Sequence, residues 1–191
     1  MNFLHQQNPF KQLSGIYLAF CAFDDFHASA DSQQQRPGLH LAEKLAGTCL
    51  ANGSEMRIRR RESGQPYGEI KNQELGVSIA HSKTHLFAGI NQLGNIGVDL
   101  EPVDRYVHPG LLKRIRCAGD TDCENVEVIR LWTIKEAALK WLGTGLRYPM
   151  NSVKIVRNSE YHFSINIENK NAMLISLRYF NHWIAVAADR R

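Results

Sequence analysis

Apolar and polar positions alternate in short runs along most of the chain, and a three- and four-residue rhythm takes over in two main stretches. GIYLAFCAF (15–23) is an apolar run rich in aromatics and of strand length. The polar DDFHASADSQQQRPG follows. Then Leu41, Leu45, Ala46 and Cys49 recur at helical spacing, which predicts a helix from Leu39 to about Leu50, ended by Asn52-Gly53. MRIRRRESGQPYGEI (56–70) reads as a basic solvated run followed by a Gly-Gln-Pro-Tyr-Gly turn. ELGVSIAHS, HLFAGIN and NIGVDLE read as three strands in close succession. Residues 102–123, punctuated by Pro102, Pro109, Gly110 and Gly119, predict an irregular, partly helical excursion that includes the basic, amphipathic LLKRIR (111–116). A second long helix is expected from near Glu124 to Leu142, stopped by Gly143 and Gly145. SVKIVR, YHFSINIE, AMLISLRYF and HWIAVAAD complete the chain as four strands.

The pattern has an echo. VSIAHSKTHLFAGIN and LISLRYFNHWIAVAAD each place a strand, a polar break and an apolar strand rich in small residues at the end of a strand-helix-strand series. Two similar α+β halves related by a pseudo-twofold axis account for this, each a small, mostly antiparallel sheet packed by a long helix. The expected division is 1–94 and 95–191, with no low-complexity linker between the halves.

Composition narrows the setting. The chain has 191 residues, 43% of them apolar, which suffices for a sizeable core, and its formal net charge of +4 favours acidic or phosphorylated partners without singling out nucleic acid. The start, MNFLHQQNPFKQLSG, lacks the basic leader and apolar core of a signal peptide, and no apolar run has membrane-spanning length, so a cytoplasmic setting is expected. Cys21, Cys49, Cys117 and Cys123 form no C-x-x-C pair, so their spacing indicates neither zinc nor a disulfide framework.

Candidate chemistry begins in GVDLE (97–101). Asp99 and Glu101 are two apart on a strand, so they share a face, where like charges repel unless a cation lies between them. An acidic solvent edge paired with Arg105 fits these two residues equally well. LWTIKEAALKWLGTGL (131–146) shifts the balance: at about 100° per residue, Thr133, Glu136 and Lys140 fall with Ile129 in one sector, while tryptophans, leucines and alanines cover the rest. A polar sector on so apolar a helix suits the wall of a cleft better than an exposed Glu136-Lys140 pair. Asp99, Glu101 and Glu136 could then hold one Mg²⁺ (or Mn²⁺), with Lys140 facing phosphates one turn along from Glu136.

G-V-D-L-E, followed by W-T-I-K-E-A-A-L-K (132–140) and G-T-G-L (143–146), resembles the paired signature of the 4'-phosphopantetheinyl transferases, in particular the larger pseudodimeric type that activates peptide and polyketide synthases. The resemblance extends over roughly residues 35 to 188 and includes S-I-A-H-S (78–82). It implies transfer of the phosphopantetheine arm of coenzyme A to a serine of an apo acyl or peptidyl carrier protein, with release of adenosine 3',5'-bisphosphate. By the same resemblance Asp99, Glu101 and Glu136 match magnesium ligands, and Glu136 doubles as the base. Lys140 matches the lysine on the pyrophosphate. His81 matches a histidine on coenzyme A phosphate, and Lys135 the other signature lysine. Arg36 and His40 lie near the positions that hold the 3'-phosphate. A pseudodimeric monomer, with no nucleic acid or membrane among its partners, is the implied form.

The chain departs from the pattern at Ala80, where the larger type often has serine, and at Gln65, where it often has lysine, both changes removing groups expected to touch coenzyme A. Arg59, Arg60 and Arg61 could supply the missing cation. LLKRIR could meet the acidic helix of a carrier protein by electrostatic steering. Two other readings stay open: a non-catalytic module that binds coenzyme A or a carrier protein, and a metal-dependent nuclease.

Overall fold

The computed structural model describes residues 1–24 and 37–189. The chain divides into two compact units, Met1–Ile96 and Gly97–Arg191.

In the first unit six strands form one sheet: β1 (Asn2–Phe3), β2 (Ile16–Ala22), β3 (Arg57–Arg60), β4 (Pro66–Ile70), β5 (Gln73–His81) and β6 (His85–Asn91), in the order β1-β2-β6-β5-β4-β3. All neighbours pair antiparallel. Helix α1 (Pro37–Cys49) buries Leu41, Ala42, Leu45 and Ala46 against Ala19, Val77, Leu86, Ala88 and Ile90; Leu41, Leu45 and Ala46 belong to the stripe read from its spacing, while Cys49 is only partly buried. The arginine run is solvated, as read, and is in addition a strand. It is the edge strand β3 of a hairpin, with Arg57 opposite Glu69 and Ile58 opposite Gly68. Its period of two was hidden because the outward positions carry charge, and pairing supplies the reason for those charges: Arg59 Nε lies 2.8 Å from Glu69 Oε2. Charged side chains on an edge strand also discourage further strand addition. Lys71 and Asn72, both at positive φ, make the two-residue turn into β5.

The second unit contains β7 (Ile96–Pro102), α2 (Leu111–Ile115), α3 (Val128–Leu142), β8 (Lys154–Arg157), β9 (His162–Ile167), β10 (Lys170–Tyr179) and β11 (His182–Asp189). The sheet runs β7-β11-β10-β9-β8, and β8 through β11 pair antiparallel in sequence. Helix α3 starts at Val128, later than periodicity suggested, because Glu127 has extended backbone and acts as its N-cap. Leu131, Ile134, Ala138 and Leu139 join Ile165, Leu174, Ala185 and Ala187 in the core of this unit. Trp141 Nε1 donates to Asp189 Oδ1 at 2.8 Å, tying the end of the helix to the last strand. Gly143, at φ 84°, closes α3 in the left-handed conformation, with its N–H shared between the carbonyls of Leu139 and Lys140. The chain is thus α+β, with two antiparallel sheets that each carry a long helix. Among the described residues no helix is long and apolar enough to cross a membrane.

Candidate active site

The site is built where β7 crosses α3. Alternation along β7 turns Gly97, Asp99 and Glu101 to one face. A Cβ at position 97 would lie 1.9 Å from the Ala137 carbonyl oxygen and 2.3 Å from the Trp141 nitrogen, so only glycine allows the strand to press against the helix backbone here. That contact sets the depth of the two residues that follow. Lys140 Nζ donates to Asp99 Oδ1 at 2.8 Å and lies 3.6 Å from Glu136 Oε1. Glu101 accepts from Arg105, whose guanidinium also lies over the Trp132 ring, 5.6 Å from its centroid. One ligand oxygen from each of Asp99, Glu101 and Glu136 lies within 4.8 Å of the others.

The electrostatics are uneven. Burial pushes the Asp99 carboxyl up to about 7, with Lys140 pulling it down and Glu136 pushing it further up. Its Oδ2 is buried without a hydrogen-bond partner. Burial raises Glu101 as well, and Arg105 partly offsets this. Burial alone would lower the Lys140 ammonium, but Asp99 and Glu136 hold it above its ordinary value. A buried carboxylate with one oxygen unpaired, beside two other carboxylates, is a donor set that fits a hard divalent cation.

Lys135, the other signature lysine, lies outside this cluster. It is fully buried, with its Nζ donating to Asp120 Oδ2 at 2.8 Å and to the Val153 carbonyl at 3.0 Å. Burial lowers its pKa and Asp120 opposes that shift. Asp120 is itself satisfied by the N–H groups of Cys117 and Ile155. The pair therefore ties the 117–122 loop and the start of β8 to α3. Arg130 is a second buried cation on the helix, donating to the carbonyls of Glu160 and Ser176 and lying 4.5 Å from the Trp183 ring centroid.

Other candidates lie in the first unit. His81 is exposed at the end of β5, just before a turn in which Ser82 Oγ accepts from the N–H groups of Thr84 and His85. His40, on α1, lies 3.7 Å from Glu43. Arg36 falls outside the described residues. Arg59 and Arg61 are ion-paired with Glu69 and Glu74, and Arg60 donates to the Gly64 carbonyl, so the arginine run has local partners. Ala80 is buried at 4% exposure, on the face of β5 opposite to Val77 and Ile79, which pack toward α1.

The sequence pattern gave no signal for Asp120. Gly97 had one: it occupies the same face of β7 as Asp99, one alternation earlier.

The fold is α+β, and three carboxylates and a lysine meet on one strand and one helix of its second unit. Residues 95–187 match the family described as the 4'-phosphopantetheinyl transferase superfamily. Phosphopantetheinyl transfer is the chemistry of that superfamily, with coenzyme A as the donor. Comparison with curated proteins finds no significant match.

Proposed function

We propose that the protein transfers the 4'-phosphopantetheine arm of coenzyme A to a serine of an apo acyl or peptidyl carrier protein, releasing adenosine 3',5'-bisphosphate. The observation that carries this reading is the meeting of Asp99, Glu101, Glu136 and Lys140 within the matched segment, with one buried Asp99 oxygen unpaired. The three carboxylates would hold Mg²⁺, which when bound neutralises charge on the pyrophosphate. Glu136, the carboxylate that projects from α3 and is more exposed than Asp99, accepts the proton of the serine hydroxyl. As the serine oxygen bonds to the β-phosphorus, the bond from that phosphorus to the bridging oxygen breaks, and the leaving phosphate carries away the electron pair. Lys140 stabilises the charge that develops there. His81, His40 and Arg36 are assigned to the phosphates of coenzyme A. On α2, Lys113 and Arg114 are exposed while Ile115 anchors the helix in the core, a basic face suited to the acidic helix of a carrier protein.

The test is incubation with coenzyme A, Mg²⁺ and a panel of apo carrier proteins, read by intact mass. A phosphopantetheine adduct on at least one carrier, lost on chelation, is the expected result. Coenzyme A binding with no adduct on any carrier would reduce the protein to a binding module.

A further inference from the structure

Arg105 lies three residues past the end of β7, at a turn held by two backbone bonds: its own N–H donates to the Pro102 carbonyl at 3.1 Å, and the Val103 N–H to the Asn181 carbonyl at 3.0 Å. The backbone is fixed, whereas the side chain is 45% exposed. Its guanidinium bonds to Glu101 while lying over the face of Trp132. Two cations thus serve three acids: Lys140 is on Asp99 and Glu136, and Arg105 is on Glu101. The two differ in freedom, because Lys140 is 24% exposed and held between two carboxylates, while Arg105 has one acidic partner at the rim.

We propose that Arg105 is a phosphate-contacting residue parked on a metal-ligand carboxylate: it neutralises Glu101 when no divalent cation is bound, and turns to the pyrophosphate of coenzyme A when the cation takes that carboxylate. The inference rests on the coenzyme A reading above. Charge decides the exchange. The acids outnumber the cations by one, so a divalent cation leaves one positive charge in surplus, and the more exposed arginine is the one released. Trp132 gives the guanidinium a flat surface to stay on after it leaves Glu101, which limits the entropy lost in moving. A planar fork of donors at the rim is then matched to phosphate oxygens.

The experiment is titration calorimetry on the full chain and Arg105→Ala, with Mg²⁺ alone and then with coenzyme A or dephospho-coenzyme A at saturating Mg²⁺. Because Arg105 competes with the metal for Glu101, the variant is expected to bind Mg²⁺ alone roughly two- to fivefold more tightly. It is also expected to bind both coenzyme A forms about tenfold more weakly, through loss of one charge-assisted contact. Equal losses for the two forms place the contact on the pyrophosphate. Unchanged or weaker Mg²⁺ binding by the variant, or unchanged coenzyme A binding, overturns the inference; so does a loss confined to the form bearing the 3'-phosphate. Arg105→Gln repeats the measurement if the alanine variant does not fold. Failure of the unaltered chain to bind coenzyme A in a Mg²⁺-dependent way removes the functional reading and this inference together. Normal binding by the unaltered chain with an indifferent variant removes the inference alone.

Discussion

Two lysines on one helix, Lys135 and Lys140, show how far neighbouring residues can differ in role. Lys140 lies 2.8 Å from the buried Asp99 and is itself partly exposed, whereas Lys135 is fully buried on Asp120. Their substitutions should separate cleanly. Asp99→Asn and Glu136→Gln are expected to lower kcat by about a hundredfold or more, the scale of losing a group that stabilises transition-state charge, with little change in melting temperature. A full transfer rate in either variant would remove the proposed metal site. Lys135→Ala is expected to cost about 3–5 kcal/mol in denaturant unfolding, because it leaves Asp120 buried and unpaired. Mg²⁺ binding by its folded fraction should be unchanged; a stability loss well under 1 kcal/mol would show that the buried pair can be dispensed with. The sequence made both lysines visible but could not rank them, since Asp120 is remote along the chain and its proximity to Lys135 exists only after folding.

At the scale of elements, the decisive contact is that of β7 with α3. Both were legible as a strand and a helix, and the shared face of Asp99 and Glu101 followed from alternation alone. What could not be read was the closeness of approach, which Gly97 sets by placing no side chain between the strand and the Ala137 carbonyl. Gly97→Ala is therefore expected to push the strand from the helix, costing about 1–3 kcal/mol or more as an overpacked contact. Mg²⁺ affinity should fall with it, measured by calorimetry on folded protein, although position 97 has no ligand atom. Retained Mg²⁺ affinity would mean that the carboxylates find their positions without this contact. The β3–β4 hairpin went unread for a different reason: its outward positions are charged, so composition masked an alternation that cross-strand ion pairs complete.

For the molecule as a whole, the site should be visible in how stability depends on pH. Burial pushes the Asp99 carboxyl up to about 7 in the folded chain from an ordinary value of 3.8. Between these values the folded state keeps a proton that the unfolded state has released, so this group's contribution falls as pH rises through that window. Metal-free protein should accordingly lose melting temperature from about pH 4 to pH 7, and Asp99→Asn should lose less. Saturating Mg²⁺ should flatten the slope, because ligation requires the carboxylate, and should stabilise more at the alkaline end. Identical slopes for the unaltered chain and Asp99→Asn would show that burial of this carboxyl does not govern the pH response.

By itself the sequence determined the α+β class, the long helices, most of the strands and the face that Asp99 and Glu101 share, since these follow from periodicity and local propensity. It also carried the paired signature that the match over residues 95–187 supports. Tertiary structure alone decided which charges meet. It placed Lys140 on Asp99 and Glu136, sent Lys135 into the core with Asp120, and set Arg105 on Glu101 over Trp132. The reason is physical: periodicity states which way a side chain points from its own element, whereas a charge is stabilised or stranded by partners that only the packing of one element on another brings within reach.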